Sequence, residues 1–166
     1  MDKQWEITKF YNGVQKNCEL PHIEDVEKYT AMLQDKRYSV FISAMDDCTA
    51  NLKESVIQNM RHIGLQASLQ RKSGCSYLAI VSDGKIVEKN DFSELQAEGT
   101  IRDGKVMYEL LSAGNACGNA SSIKIDGIEY SKNCRGLNIV VYNNQTKTIV
   151  DSVCFDTHDE SSRAVR

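Results

Sequence analysis

The sequence predicts an α+β domain in which mainly antiparallel sheets pack face to face, flanked by two or three short helices. Three observations carry that class. Strand-like runs outnumber helical ones by a wide margin. Three Asp-Gly dipeptides, Asp83-Gly84, Asp103-Gly104 and Asp126-Gly127, mark hairpin centres in the middle of the chain, because both residue types tolerate positive φ. The two clear helical patterns both precede those dipeptides, so βαβ units with crossover helices are excluded.

The 166 residues, 41% hydrophobic and 26% charged, suit one folded domain rather than a disordered or fibrous chain. Twenty Lys and Arg against 23 Asp and Glu leave a net charge of −3, with no overall pull toward nucleic acid or anionic lipid. No apolar run approaches the roughly 20 residues of a membrane-spanning helix, and Pro21 is the single proline, so no Pro-rich linker divides the chain. The opening Met1-Asp2-Lys3-Gln4-Trp5-Glu6 has no basic segment leading into an apolar one. A cytoplasmic, reducing setting is therefore expected, with secretion the alternative if the sequence is a truncated piece. Six cysteines, Cys18, Cys48, Cys75, Cys117, Cys134 and Cys154, contain no Cys-x-x-Cys and no zinc-finger spacing with histidine. No metal or cofactor is expected; the thiols read as free, mostly buried residues, or alternatively as a disulfide framework.

The segment from Trp5 to Tyr11 reads as a strand or a linker. After Pro21, Ile23, Val26, Tyr29 and Leu33 recur at helical spacing, with Glu24 and Asp25 in the first turn, giving a helix at about 22–35 within an N-terminal extension of residues 1–37. Residues 38–45 form a central strand with apolar side chains on both faces. Asn51, three residues before Glu54, reads as the cap of a helix at 51–63. Leu52, Val56, Met60 and Ile63 are its buried stripe, and Gly64-Leu65 its stop. Four hairpins follow. They join 76–81 to 85–88, 99–101 to 105–111, 122–125 to 128–130, and 136–142 to 148–155, the last through a polar loop without glycine. Residues 159–166 read as a polar tail.

Candidate chemistry gathers at strand ends. Asp46 and Asp47 suit either a general acid and base or a turn cap with a solvated neighbour. Cys154 and His158 lie on one strand face about 13 Å apart, too far for a nucleophile–base dyad. The run of small residues from Ser112 to Ser122 lacks the Gly-Lys-Ser/Thr ending of a phosphate loop. It reads as a turn packed against other backbone or as the lining of a polar pocket. Arg135 suits a carboxylate or sugar-hydroxyl partner, or a solvated surface position.

The segments Ser112-Ala-Gly, Ser122-Ile-Lys-Ile-Asp-Gly, Arg135-Gly-Leu-Asn-Ile-Val-Val-Tyr and Val150-Asp-Ser-Val-Cys-Phe-Asp-Thr-His resemble the interleukin-like EMT inducer (PANDER-like) domain. The strand at 38–45, Asp46-Asp47, the helix ending Ile63-Gly64-Leu65 and Ser76-Tyr77 resemble its other half, so the likeness spans 38–158. Here the two halves stand in reversed order, a circular permutation similar to domains attached to bacterial glycosyltransferases. The resemblance implies a compact, non-catalytic β-sandwich with a polar cavity. It implies carbohydrate binding or an accessory role in cell-surface glycan or polysaccharide synthesis, with a glycan and a glycosyltransferase or related enzyme as partners. A protein–protein or cytokine-like signalling module is the alternative. The ligand residues it implies are Asp46, Asp47, Tyr77, Asn115, Arg135 and Asp156, with Tyr77 covering an apolar sugar face. The basic residue of sugar-binding relatives would fall near Gly74, where this chain has no charge. A glycan-active enzyme would instead need Asp46 and Asp156 to converge in a cleft.

Overall fold

Nine residues rich in β-branched and aromatic side chains form the strand around which the chain is organised, β1 (Tyr38–Asp46), buried without a break from Ser39 to Ala44. The computed structural model describes residues 20–166, so the Trp5 segment and Cys18 lie outside the described residues. Two helices, α1 (Val26–Met32) and α2 (Glu54–His62), flank β1 in sequence. Nine further strands follow: β2 (Ser76–Ser82), β3 (Lys85–Asp91), β4 (Leu95–Ile101), β5 (Val106–Gly114), β6 (Ala120–Ile125), β7 (Ile128–Glu129), β8 (Gly136–Asn143), β9 (Thr148–Phe155) and β10 (Ala164–Val165).

The expected α+β class is the one found, and the ten strands join into one connected sheet that curls and branches. β1 runs antiparallel to β2 on one edge and to β8 on the other; β3 extends the first side, and β9 then β10 the second. At its last two residues β1 leaves β2 and pairs in parallel with β5, Met45 opposite Ala113 and Asp46 opposite Gly114. β5 carries β4 on one side and β6, then β7, on the other.

Side-chain alternation along the central strands separates two cores. Val40, Ile42 and Ala44 of β1, with Tyr77, Ala79, Ile139, Val141 and Phe155, meet Tyr29 of α1 and Val56, Ile57 and Met60 of α2. Tyr29 and Phe155 cross edge-to-face at 5.1 Å, so the helix of the expected N-terminal extension belongs to the same core as β9. On the opposite face Phe41, Leu78, Ile80 and Val140 pack against Tyr108 and Leu110 of β5 and Ile123 and Ile125 of β6.

Where strands part at the branch, backbone groups lose their ladder partners, and serine hydroxyls replace them. Ser112 Oγ accepts from Tyr77 N at 2.9 Å and donates to Ala44 O at 2.5 Å, tying β1, β2 and β5 together. Ser43 Oγ donates to Leu111 O at 2.6 Å and accepts from Ser121 Oγ at 2.9 Å. Ser76 Oγ accepts from Gly114 N at 2.9 Å.

Both helices are shorter than the sequence pattern suggests. α1 starts at Val26, because the Asp25 carboxylate caps it by accepting from Lys28 N at 2.9 Å. α2 starts at Glu54 without a side-chain cap. The expected cap, Asn51, is drawn away: its backbone N–H donates to Thr157 O at 2.8 Å and its side chain to His158 O at 2.6 Å. The stop at Gly64 is as expected, with φ +108° and a bond from Leu65 N to Met60 O.

Asp83-Gly84 and Asp126-Gly127 form two-residue turns with positive φ at both positions. Asp103-Gly104 lies instead within a four-residue loop, because the β4–β5 ladder closes at Ile101 opposite Val106 and Arg102 also turns left-handed. The β8–β9 loop needs no glycine: Asn143 Oδ1 accepts from Gln145 N and Thr146 N, and Lys147 takes φ +62°. In the segment read as a polar tail, β10 pairs with β9, and Arg166 bonds Asp151 and, at 2.8 Å, the carbonyl of Leu20.

Candidate functional site

Sheet register brings four chain segments to one end of the fold. Met45 lies opposite Gly136 and Leu137 opposite Phe155, while Asp46 pairs with Gly114. Asp46, Asn115, Arg135 and Asp156, each at or just beyond a strand end, therefore share that end.

Two glycines make the approach possible. A β-carbon on Gly136, at φ +109°, would stand 2.2 Å from Phe155 O and 2.8 Å from Asp156 Cα. One on Gly114 would stand 2.2 Å from Gly74 O. The Arg-Gly dipeptide thus lets Arg135 sit beside Asp156, and the small-residue run packs against other backbone, one of its two expected forms.

Arg135 grips Asp156 in a fork: Nε lies 3.1 and 3.2 Å from the two carboxylate oxygens and Nη2 2.8 Å from Oδ2. Asp156 also accepts from the backbone N–H groups of His158 and Asp159, each at 3.2 Å. Partial burial opposes its ionisation, but the Arg135 guanidinium and these N–H groups outweigh that and hold its carboxyl below the usual range. Arg135 is raised in turn by its bonds to Asp156, with the charge of Asp46 adding to the effect. Asp46 closes β1 at φ +64°. Its carboxylate makes no hydrogen bond among the described residues, and Nη1 of Arg135 makes none either.

The other two expected ligand residues face elsewhere. Tyr77 is 0% exposed within the helix-side core, and its hydroxyl donates to Glu88 Oε2 at 2.7 Å. Its ring is committed to packing and does not cover a ligand. Asp47 is buried as a structural acceptor, taking bonds from Thr49 N, Thr49 Oγ1 and Ser73 Oγ at 2.7–2.8 Å. Burial resists its charge, yet these bonds hold its carboxyl below the usual range. It is the turn cap of the two readings. Asn115 is exposed on a 3-10 turn, Asn115–Cys117, directly after Gly114.

Arg135 and Asp156 both stand among the ligand residues that the resemblance implies, but nothing in the sequence analysis joins them to each other. The Phe-Asp ending of β9 opposite the Arg-Gly start of β8 is the signal for the pair actually formed. Cys154 and His158 do not meet as a dyad; Cys154 Sγ donates to Arg135 O and His158 contributes its backbone N–H to Asp156. No group of three potential metal ligands converges among the described residues. A cleft of about 560 Å³ opens away from this end, on the outer face of β4–β6, lined by Gln96, Glu98, Glu109, Ser122 and Lys124 and by Lys89 of β3.

No protein-family model matches the chain, and no curated protein or solved structure matches it either.

Proposed function

We propose that this chain is a non-catalytic carbohydrate-binding domain of the interleukin-like EMT inducer (PANDER-like) type, in a circularly permuted, bacterial order, serving cell-surface glycan synthesis. The observation that carries this reading is a half-buried guanidinium and a half-buried carboxylate gathered at one end of the sheet, each with hydrogen-bonding capacity that no described residue takes up. Asp156 holds Arg135 through Nε and Nη2, which leaves Nη1, and the Asp46 carboxylate whose charge Arg135 feels, without a hydrogen-bond partner among the described residues. A carboxylate accepts from vicinal hydroxyls while a guanidinium donates to ring or amide oxygens, so the two together suit a polyhydroxylated ligand. Asn115 supplies an amide at the same end.

Two features of the fold support the reading. The β2–β1–β8 strands and the β4–β5–β6 strands pack against each other across one core, which supports a sandwich-like layering. Residues 20 and 166 also lie together, Arg166 Nη2 donating to Leu20 O, a proximity that supports reordering of the two halves. Asp156, held ionised by Arg135, is poorly suited to act as a general acid, which favours binding over glycoside hydrolysis.

The test is a glycan array with the chain beside Arg135→Ala and Asp46→Ala, each checked for folding by circular dichroism. Binding by the parent that is lost in both folded variants supports the sugar site. Silence of a folded parent across the array overturns it and turns the search to a protein partner.

A further inference from the structure

Asn138 of β8 stands opposite Cys154 of β9 and is fully buried. Its side chain turns back to grip the backbone of Cys134: Oδ1 accepts from Cys134 N at 3.1 Å, and Nδ2 donates to Cys134 O at 2.9 Å. The backbone of Cys134 is thereby held by the residue that stands opposite Cys154. From the other side, Cys154 Sγ donates to the carbonyl of Arg135, the residue next to Cys134, at 3.4 Å. Cys134 Sγ itself donates to Lys132 O at 3.4 Å, so both thiols bond to the short backbone run Lys132–Arg135 and the two cysteines lie side by side.

We infer that Cys134 and Cys154 are an oxidative modification site, a thiol pair that a small dialkyl disulfide such as oxidised glutathione converts to an intramolecular disulfide beneath Arg135 and Asp156. The order of events follows from access. Cys134 is half-buried and Cys154 buried, so Cys134 meets the oxidant first. Its thiolate attacks one sulfur of the small disulfide, forming a mixed disulfide and releasing one small thiolate. Cys154 then attacks the Cys134 sulfur and expels the second small thiol, which takes up the Cys154 proton. Two protein thiols and one small disulfide become one protein disulfide and two small thiols. Burial pushes the Cys154 thiol up, which suits it to the resolving role rather than the attacking one. Cys48 and Cys75, by contrast, lie wholly within the helix-side core and are closed to the same reagent.

The experiment incubates the full chain, natively folded, with excess oxidised glutathione, alkylates remaining thiols, and maps non-reduced peptides by mass spectrometry. The expected product is a peptide linking Cys134 to Cys154, with an intact mass lower by two hydrogens per link. Cys154→Ser should instead keep one glutathionyl group on Cys134, and Cys134→Ser should lose both products. A stable glutathionyl group on Cys134 of the parent chain with Cys154 still alkylatable would overturn the inference. So would Cys134 linked to a different cysteine, or Cys134 left unmodified. The parent chain alone gives all three readings, so a poorly folded variant does not blunt the test, and none depends on whether the domain binds sugar.

Discussion

Gly136 lies against Phe155 so closely that a β-carbon there would sit 2.2 Å from the Phe155 carbonyl oxygen, with backbone rather than a movable side chain in the way. Gly136→Ala must strain a positive-φ position and push β8 from β9 at once. We expect a loss of about 2–4 kcal/mol in urea unfolding. Gly84→Ala, also at positive φ but facing open space, should cost only about 1 kcal/mol.

Ser112 is the hinge of the branch. Ser112→Ala leaves Tyr77 N and Ala44 O without partners in a buried setting, and should cost about 2–4 kcal/mol by chemical denaturation. Ser93→Ala, which removes an exposed hydroxyl bonded to Asp91, should stay within roughly 0.5 kcal/mol of the parent.

Asp47 and Asp156 both have carboxyl groups held below their ordinary values in the folded chain. The unfolded chain therefore binds protons more readily than the folded one as the solution is acidified. Their contribution is fully present above about pH 4, the usual aspartate value, and is lost as pH falls through the lower folded values. Urea midpoints measured from neutral pH down to about pH 3 should drop, and the drop should be smaller in Asp47→Asn. An Asp47→Asn chain with the parent's full acid sensitivity would count against this assignment.

Asp151 is 8% exposed and takes bonds from both the Tyr29 hydroxyl at 2.8 Å and the Arg166 guanidinium at 2.9 Å. Removing the hydroxyl leaves the charge paired; removing the guanidinium does not. Tyr29→Phe should cost about 1 kcal/mol and Arg166→Ala about 3 kcal/mol, read from thermal or urea melts.

Arg135→Ala should lower the unfolding midpoint only slightly, because the pair with Asp156 is partly open to solvent and Asp156 keeps its backbone donors. Under the proposed function, the same substitution abolishes glycan binding. A large loss of stability would mean that the pair serves the fold rather than a ligand.

Local chemistry was the legible part of this chain. Positive φ at Asp83-Gly84 and Asp126-Gly127, and the stop at Gly64, depend on the residues themselves and follow directly from their types. Asn51 misleads for the opposite reason: its capping partners were adjacent in sequence, but Thr157 and His158, distant in sequence, outcompete them. Tyr77 misleads likewise, since an aromatic in a strand reads the same on either face, and only the packing of α1 and α2 decides that it points inward. The site was half legible. Register delivers Asp46, Arg135 and Asp156 to one end, yet which carboxylate Arg135 grips is settled by the contact of β8 with β9. The serine bonds at the branch leave no sequence signature, because a hydroxyl bridging two strands looks like any serine in a strand.

β1 is an early strand whose neighbours are scattered along the rest of the chain: β2 soon after it, β5 in the middle, and β8 near the end. On the ribosome, then, the first half of this protein cannot finish folding as it emerges. One full edge of β1 stays open until residues 136–143 have been made, a stretch of unpaired apolar strand that chaperones or self-association can capture first. High sequence separation between paired strands also slows folding after release. Yield in cells should therefore respond more to substitutions in β8 than to equally buried ones in β2, whose partner is already at hand.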